Sequence, residues 1–187
     1  MFACDLRGLF WRDRHLKTKR AIARLMRRSP LLYALLLRAV KLVAARFTAG
    51  VTGVVFNQAG EILLLEHVFR DRSPWGLPGG WVGRRERPQD ALQRELLEEV
   101  GLEVRIGPPV VVDLGHFSTH LETSFLCEAE SEVHTLSQEI LNARWTSPDA
   151  LPPDIKPFER RVIAEAQKMR TAIGPNGNWT QMNTDNG

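Results

Sequence analysis

Cysteine and long apolar runs are both scarce in this sequence, and each scarcity excludes a class of protein. Only Cys4 and Cys127 occur among the 187 residues, far apart in the chain. Small disulfide-dependent secreted domains need more cysteines, so we expect two free thiols and a cytoplasmic protein. The first long apolar run, LLYALLLRAVKLVAA, begins only at Leu31 and is interrupted by Arg38 and Lys41. It falls short of the roughly 20 apolar residues that span a bilayer, so we expect neither a cleaved signal peptide nor a membrane-spanning helix.

Charge is divided unevenly along the chain. Residues 1–46 carry 12 Lys and Arg against 2 Asp, a net charge of +10, whereas residues 47–187 have a net charge of −7. Within the basic segment, KRAIARLMRR places apolar residues at helical spacing. Ser29 and Pro30 then supply a cap and a first-turn proline for a second helix, roughly residues 30–46, which is apolar nearly all round. We therefore predict a helical hairpin as an extension over residues 1–47.

Two interpretations of this extension stay open. A helix that is apolar nearly all round must be buried, and a protein surface is the commonest place, either on the following domain or in a homodimer. Alternatively, a charge of +10 beside a leucine-rich helix suits peripheral contact with an anionic membrane surface.

The pattern changes at residue 48, where a second kind of structure begins. VTGVVF and EILLLEHVF flank the turn residues NQAG, which predicts a β-hairpin. Three further strand candidates follow (VRIGPPVVVDLGHF, TSFLCEAE and ILNARW), and Pro157 opens a final helix, PFERRVIAEAQKMR. Strands outnumber helices, so we predict an α+β domain over residues 48–173. The polar tail, residues 174–187, is expected to be disordered.

The stretch LPGGWVGRRERPQDALQRELLEEVGL, residues 77–102, carries the chemistry. Pro88 is typical of a first helical turn and Gly101 of a C-cap, so a helix is predicted over residues 88–100. Its three carboxylates at i, i+3 and i+4 lie on one face, where they repel unless a cation sits among them. These are Glu95, Glu98 and Glu99. An isolated RELLEEV would be a solvated helix face.

Hard carboxylate oxygens favour Mg²⁺ or Mn²⁺, which retain waters that a phosphate substrate can replace. Gly79 and Gly80 allow close approach of the backbone and can offer a carbonyl oxygen as a further ligand. Arg94 precedes Glu98 by four residues and can orient that carboxylate. The stretch therefore predicts a cation site suited to a diphosphate.

From Gly80 to Leu102 the chain matches a complete motif: Gly, five residues, Glu, seven residues, then Arg-Glu-Leu-Leu-Glu-Glu-Val-Gly-Leu. This is the Nudix box, and the protein resembles the Nudix hydrolases over about residues 48–171. The resemblance implies a mixed β-sheet sandwiched between helices. It also implies metal-dependent hydrolysis of a nucleoside diphosphate linked to another group, by water attack on phosphorus.

The resemblance also implies roles for individual residues. Glu98 and Glu99 would be metal ligands, Glu95 a ligand or base, Gly79 a carbonyl ligand and Arg94 an orienting partner. Glu86 would be supporting.

Two arginines depart from the family's pattern. The family usually has Gly before this glutamate and Ser or Thr after it, whereas this chain has Arg85 and Arg87. A flexible turn residue and a helix cap are thus both replaced. Together with Arg84, these arginines either bind substrate phosphates or form a solvated basic turn.

Many family members add an acid from beyond the box. Glu139 is the first candidate and Glu132 the second, because both precede the strand that ends at Trp145. His116, His120 and His134 also lie near strand ends, but a surface histidine is commoner than a catalytic one.

The box does not identify the leaving group, and no secondary signature for a particular substrate follows it. The alternative function is a Nudix-like domain that binds a nucleotide or RNA without cleaving it. The intact acid set favours the hydrolase, and we do not expect nucleic acid as the partner.

Overall fold

The computed structural model describes residues 29–43, 47–70, 72–114 and 119–174. The chain divides into two compact units between Arg46 and Phe47. The first unit contributes one described helix, α1 (Pro30–Val43), which begins at the predicted proline. No helix in the described parts of the chain is long and apolar enough to cross a membrane.

Several predictions fall on residues outside these ranges. They concern the first helix of the hairpin (residues 19–28), the thiol of Cys4, the position of His116 and the tail (residues 175–187). These expectations, and the boundaries drawn between extension, domain and tail, stay predictions.

The second unit is an α+β domain, as predicted. Its elements in chain order are β1 (Thr48–Phe56), β2 (Ile62–His67), β3 (Trp75–Gly76), β4 (Gly79–Trp81), α2 (Pro88–Val100), β5 (Val104–Leu114), β6 (His120–Ala129), β7 (Ile140–Thr146) and α3 (Pro157–Ile173). The sequence pattern missed β3 and β4, because two or three residues are too few to show an alternation of period two.

The described strands form one mixed sheet around β1. Strand β1 pairs in parallel with β6 along its whole length. On its other edge β1 pairs with β2 only at Phe56 and Ile62, since β2 continues alongside β3 and β7. The free part of that edge is taken by β4, which pairs with β1 at residues 50–52. This divergence of β1 and β2 brings the paired glycines of the box against β1.

Apolar side chains cover both faces of the sheet, as the alternation along β1 dictates. On one face Val51 and Val55 pack against α2, whose Leu92, Leu96 and Val100 are fully buried. The opposite face packs against α3, through the cluster Val54, Phe56, Leu126, Val162, Ile163 and Ala166. Each fully buried leucine contributes roughly 1.5–3 kcal/mol. The sheet therefore lies between two helices, which confirms the predicted sandwich.

One thiol of the sequence lies within the described core. Cys127 on β6 is free and completely buried. Burial raises the pKa of this thiol, which keeps it protonated and suits a packing role.

Helix α2 ends where Gly101 adopts the left-handed conformation, with φ 63° and ψ 28°. The amide of Gly101 donates to the Leu97 carbonyl at 3.1 Å, and the amide of Leu102 donates to the Leu96 carbonyl at 3.2 Å. A Cβ on Gly101 would lie 2.9 Å from Thr135 Oγ1. The predicted C-cap is therefore confirmed, and glycine is required there by conformation and by space.

We expect Gly101→Ala to lower the free energy of unfolding by about 1–2 kcal/mol, because a left-handed alanine is strained and its methyl group meets Thr135. Urea titration would measure the change. Gly101→Ala in a Thr135→Ala background is the matched control, since it keeps the left-handed backbone and removes Thr135 Oγ1. Equal losses in the two variants would contradict the part assigned to the Thr135 contact.

Candidate active site

The glycine pair of the box forms the base of the site. Gly79 pairs with Thr52 on β1 and has a φ of 149°. A Cβ on Gly79 would lie 2.1 Å from the Val51 carbonyl oxygen, and one on Gly80 would lie 2.3 Å from the carboxyl carbon of Glu95. No side chain fits at Gly79, and one at Gly80 would displace the Glu95 carboxylate, so the two glycines let the backbone pass between β1 and the acidic face of α2.

Glu99 is the acid on this face of α2 whose ionised form is disfavoured by its surroundings. The Gly79 amide donates to Glu99 Oε2 at 3.2 Å. Burial raises the pKa of Glu99 to about 7, with the Glu95 and Glu139 carboxylates acting in the same direction and the Gly79 amide and Arg70 opposing it. A partly dehydrated carboxylate beside two other acids is stabilised by a cation.

Arg94 holds the other acids of the box. Its guanidinium donates to Glu86 at 3.0 Å, to Glu95 at 2.8 Å and to Glu98 at 3.2 Å. It also donates to the carbonyl oxygen of Trp81 at 3.0 Å. Arg94 thus contacts the predicted Glu98 and also joins β4 to the loop that carries Glu86.

That loop accommodates both departures from the family's pattern. Arg85 has a φ of 65°, the conformation for which the usual glycine is suited. Arg87 takes the N-cap position without a capping side-chain hydrogen bond. Its guanidinium instead makes a bidentate contact with Asp90, at 2.8 and 2.7 Å. Glu86 accepts from the Gly83 amide at 2.6 Å, which ties the loop to Arg94.

The three predicted substrate-binding arginines are therefore not equivalent. Arg84 and Arg85 have exposed side chains, whereas the Arg87 guanidinium is engaged with Asp90. Phosphate binding by these residues stays a prediction.

The acids proposed from beyond the box differ in position. Glu139 is exposed, and its carboxylate is close enough to Glu99 to raise the pKa of that group. Its backbone carbonyl accepts from the Val68 amide at 2.9 Å, which anchors the segment before β7 beside β2. Glu132 is also exposed but is not among the groups that chiefly shift the pKa of Glu99. Among the histidines, His134 lies at the end of α2, where its amide donates to the Val100 carbonyl.

The donor set fits a hard divalent cation by its chemistry. Glu95, Glu98 and Glu99 offer carboxylate oxygens, and the raised pKa of Glu99 indicates a position that a positive charge would stabilise. In the described residues, however, no three acidic, histidine or cysteine side chains converge closely enough to enclose a metal by themselves. Mg²⁺ is commonly held by one or two carboxylates, with waters and substrate phosphates completing its shell. The residues therefore fit such an ion.

A cavity of about 740 Å³ lies on the α3 face of the sheet, beside the glycine pair. Its lining includes Thr52, the strand partner of Gly79. His120 and Glu122 on β6 line it, as do Arg70 and Lys156 from two loops. The lining thus combines acids and cations at the point where β4 meets β1.

One wall of this cavity is formed by part of a polar cluster. Arg70 donates to Glu159 Oε1 at 3.3 Å, and Glu159 is only 6% exposed. The second oxygen of Glu159 and Nε2 of His67 are buried without a hydrogen-bond partner among the described residues. Burial lowers the pKa of His67 to about 4, with Arg70 and Lys156 contributing. Sequence reasoning missed this cluster, because its members come from separate elements.

Comparison with known proteins agrees with the geometry. A model of the Nudix domain matches residues 46–166. The chain belongs to the Nudix hydrolase family. It is similar to a putative 8-oxo-dGTP diphosphatase of Bacillus subtilis (strain 168), with 27% identity over 136 residues that cover 70% of this chain and 90% of that protein.

Other Nudix relatives carry different substrate names. An RNA pyrophosphohydrolase of Pseudomonas paraeruginosa is 40% identical over 57 residues, which cover 30% of this Nudix chain and 35% of that protein. The fold is similar to that of an ADP-ribose pyrophosphatase from Streptococcus suis, with a TM-score of 0.54 and 23% identity over 65% of this chain and 92% of that one. These likenesses support the family and the fold, and they do not select one substrate.

We expect Glu99→Gln to raise the stability of the metal-free protein at neutral and alkaline pH. Because the folded-state pKa of about 7 lies above the ordinary 4.5, the stability that this group contributes is complete below pH 4.5 and is lost as the pH rises through 7. The variant should exceed the wild type by about 1–3 kcal/mol at pH 8 and match it near pH 4. Urea titration in EDTA measures both values.

Glu98→Gln is the matched control, because the Glu98 side chain is 61% exposed and its removal should change stability little. His67 has a pH dependence of opposite sign, but it is present in both proteins and cancels in the difference. Added Mg²⁺ should stabilise the wild type more than Glu99→Gln. A stability difference that does not depend on pH would contradict the raised pKa of Glu99.

Proposed function

We propose that this Nudix hydrolase cleaves a nucleoside diphosphate linked to another group, by attack of water on phosphorus, and that it requires Mg²⁺ or Mn²⁺. The observation that supports this most directly is the position of Glu99, a half-buried carboxylate of raised pKa that lies beside Glu95 and the Gly79 amide. A bound divalent cation would neutralise phosphate oxygens and lower the pKa of a bound water.

The chain's own residues would do the rest. Glu95, Glu98 and Glu99 would hold the cation, with the Gly79 carbonyl as a further ligand, and Arg94 would keep the carboxylates oriented through the contacts described above. In the reaction, the water oxygen bonds to phosphorus, the phosphoanhydride bond breaks and a carboxylate accepts the water's proton.

The proton acceptor is proposed to be Glu95 or Glu139. The influence of Glu139 on Glu99 supports a position beside the acids of α2. Glu132 is the second candidate from beyond the box.

The substrate would enter the 740 Å³ cavity beside the box. Its volume is in the range of small-molecule sites, roughly 300–1,000 Å³. Arg84 and Arg85 remain proposed phosphate contacts, and Arg87 could join them only by leaving Asp90. A cytoplasmic location, expected from the two cysteines, stays a prediction.

A nucleotide- or RNA-binding domain without catalysis is the second candidate. A domain that only binds gains nothing from the half-buried Glu99 carboxylate, whose raised pKa shows that its ionised form costs folding free energy. For this reason we favour the hydrolase.

Glu98→Gln should lower kcat by at least about a hundredfold with the fold retained, because a ligand that stabilises transition-state charge is lost. The assay is a panel of nucleotides with Mg²⁺ or Mn²⁺, including 8-oxo-dGTP, ADP-ribose and 5′-triphosphate RNA, with detection of released phosphate or nucleoside monophosphate. Glu139→Gln should reduce kcat more than Glu132→Gln.

Asp149→Asn is the matched control for these acids, since Asp149 is exposed in the segment between β7 and α3. Near wild-type turnover in Glu98→Gln on the best substrate would contradict the metal site. If Glu139→Gln and Glu132→Gln both leave kcat nearly unchanged, neither residue belongs to the catalytic site.

For residues 1–46 we propose a docking role. Among the described side chains of α1, four large apolar ones are exposed: Leu31, Tyr33, Leu35 and Val40. A protein surface, in this chain or in a second copy, is the first choice because apolar helix faces are most often buried there. Adsorption to an anionic membrane is the alternative, for which the charge of +10 is suited.

Deletion of residues 1–46 should separate these roles. A protein contact predicts loss of an oligomer in size-exclusion chromatography or a lower Tm. A membrane role predicts a stable, active remainder that no longer sediments with anionic vesicles. Failure of the full chain to bind such vesicles at low salt, where the attraction is strongest, would contradict the membrane role.

A further inference from the structure

A chain of three polar side chains begins at Thr48 and ends in the floor of the cavity. Thr48 Oγ1 lies 2.9 Å from His120 Nδ1, and His120 Nε2 lies 3.0 Å from Glu122 Oε2. The side chains of His120 and Glu122 are only 15% and 14% exposed, and both line the cavity. With both ring nitrogens engaged, the imidazole orients the carboxylate and is not itself free to bind a ligand.

A glycine on β1 makes room for this arrangement. The parallel register places Thr48 opposite His120 and Gly50 opposite Glu122. A Cβ on Gly50 would lie 2.5 Å from Glu122 Oε2 and 2.7 Å from His120 Nε2. The pair therefore lies across the backbone of β1, where any side chain at position 50 would displace it.

An exposed aromatic ring stands beside the pair. Trp81, the partner of Gly50 on β4, is 62% exposed. Its ring centroid is 4.8 Å from that of His120, at an interplanar angle of 65°. The Trp81 carbonyl accepts from Arg94, so the ring is carried by the same strand that contacts the box acids. An exposed indole next to a fixed carboxylate offers a stacking surface with hydrogen-bond acceptors at its side.

This floor is connected to the reacting end of the site. Thr52 lines the cavity opposite Gly79, whose amide donates to Glu99. Gly50 is two residues further along β1, roughly 7 Å away. Burial raises the pKa of both Glu99 and Glu122, and Arg70 is close enough to oppose that rise in each. A diphosphate at the box acids would thus extend its nucleoside over Glu122.

We infer that Glu122, oriented by His120 and Thr48, is a specificity-determining acceptor for two adjacent hydrogen-bond donors on the nucleoside of the substrate. This inference rests on the proposed function, which supplies the nucleoside. A carboxylate accepts through two oxygens and donates nothing when ionised, so it selects a pair of donors and rejects acceptors. Two parts of a nucleoside carry such a pair: the ring N–H and exocyclic amine of a guanine-type base, and the vicinal hydroxyls of a ribose.

Binding of mononucleotides to the full chain tests this inference without requiring turnover. Isothermal titration with GMP, IMP and 2′-dGMP compares the donors one at a time, since IMP lacks the exocyclic amine and 2′-dGMP lacks one hydroxyl. We expect one analogue, either IMP or 2′-dGMP, to bind the wild type about ten- to a hundredfold more weakly than GMP does. Loss of one hydrogen bond to a charged group usually has an effect of this size. The weaker analogue identifies base or ribose as the source.

Glu122→Gln should reduce that preference to about threefold or less, because the amide offers only one acceptor oxygen. Glu130→Gln, an exposed acid just after the same strand, is the matched control and should keep the preference. Gly50→Ala should imitate Glu122→Gln by displacing the pair. His120→Asn should reduce the preference when it is made in the wild type. Made in Glu122→Gln, it should cause no further reduction, because His120 acts by positioning Glu122. A general loss of structure would instead reduce binding in both backgrounds.

The outcomes separate the two proposals. Equal binding of all three mononucleotides by the wild type, no binding at millimolar concentration, or a preference that survives in Glu122→Gln would each overturn the inference. A preference that depends on Glu122 without hydrolysis of any nucleotide in the panel would support the inference and contradict the proposed hydrolysis.

Discussion

The close passage of Gly79 and Gly80 between β1 and α2 is the constraint on which the site depends. The Val51 carbonyl leaves no space for a Cβ at Gly79, and a Cβ at Gly80 would displace the Glu95 carboxylate from the site. Gly79 connects the acids to the cavity. Its amide donates to Glu99, and Thr52, its partner on β1, lines the cavity. Acids and cavity are therefore joined through one short strand, which exists because β2 leaves that edge of β1 free.

This arrangement gathers negative charge at a cost in stability. Arg94 offsets part of it by contacting Glu86, Glu95 and Glu98 together. Glu99 lies beyond that set of contacts, and its partial burial raises its pKa to about 7. A group that destabilises the folded protein unless a cation is bound is typical of a functional site, where stability is exchanged for activity.

The fold could be predicted from the sequence where the signals are local. Pro88 and Gly101 mark the two ends of α2 because each acts through its own backbone, and Leu92, Leu96 and Val100 form a buried ridge because helical spacing puts them on one side. The two residues beside Glu86 that depart from the family's pattern also act locally. Arg85 takes the positive φ that suits glycine, and Arg87 leaves the helix without a side-chain cap.

By itself, the sequence determined the acid face of α2, its helix ends, the alternation that buries both faces of β1, and the family to which the box belongs. These follow from spacing along one element, and spacing is visible in the letters. Only the tertiary structure decided which distant residues share the cavity. Thr48 meets His120, and Gly50 makes room for Glu122, because β1 and β6 pair in parallel across more than sixty intervening residues. Strand pairing of that range depends on the packing of the whole sheet, so no local pattern specifies it.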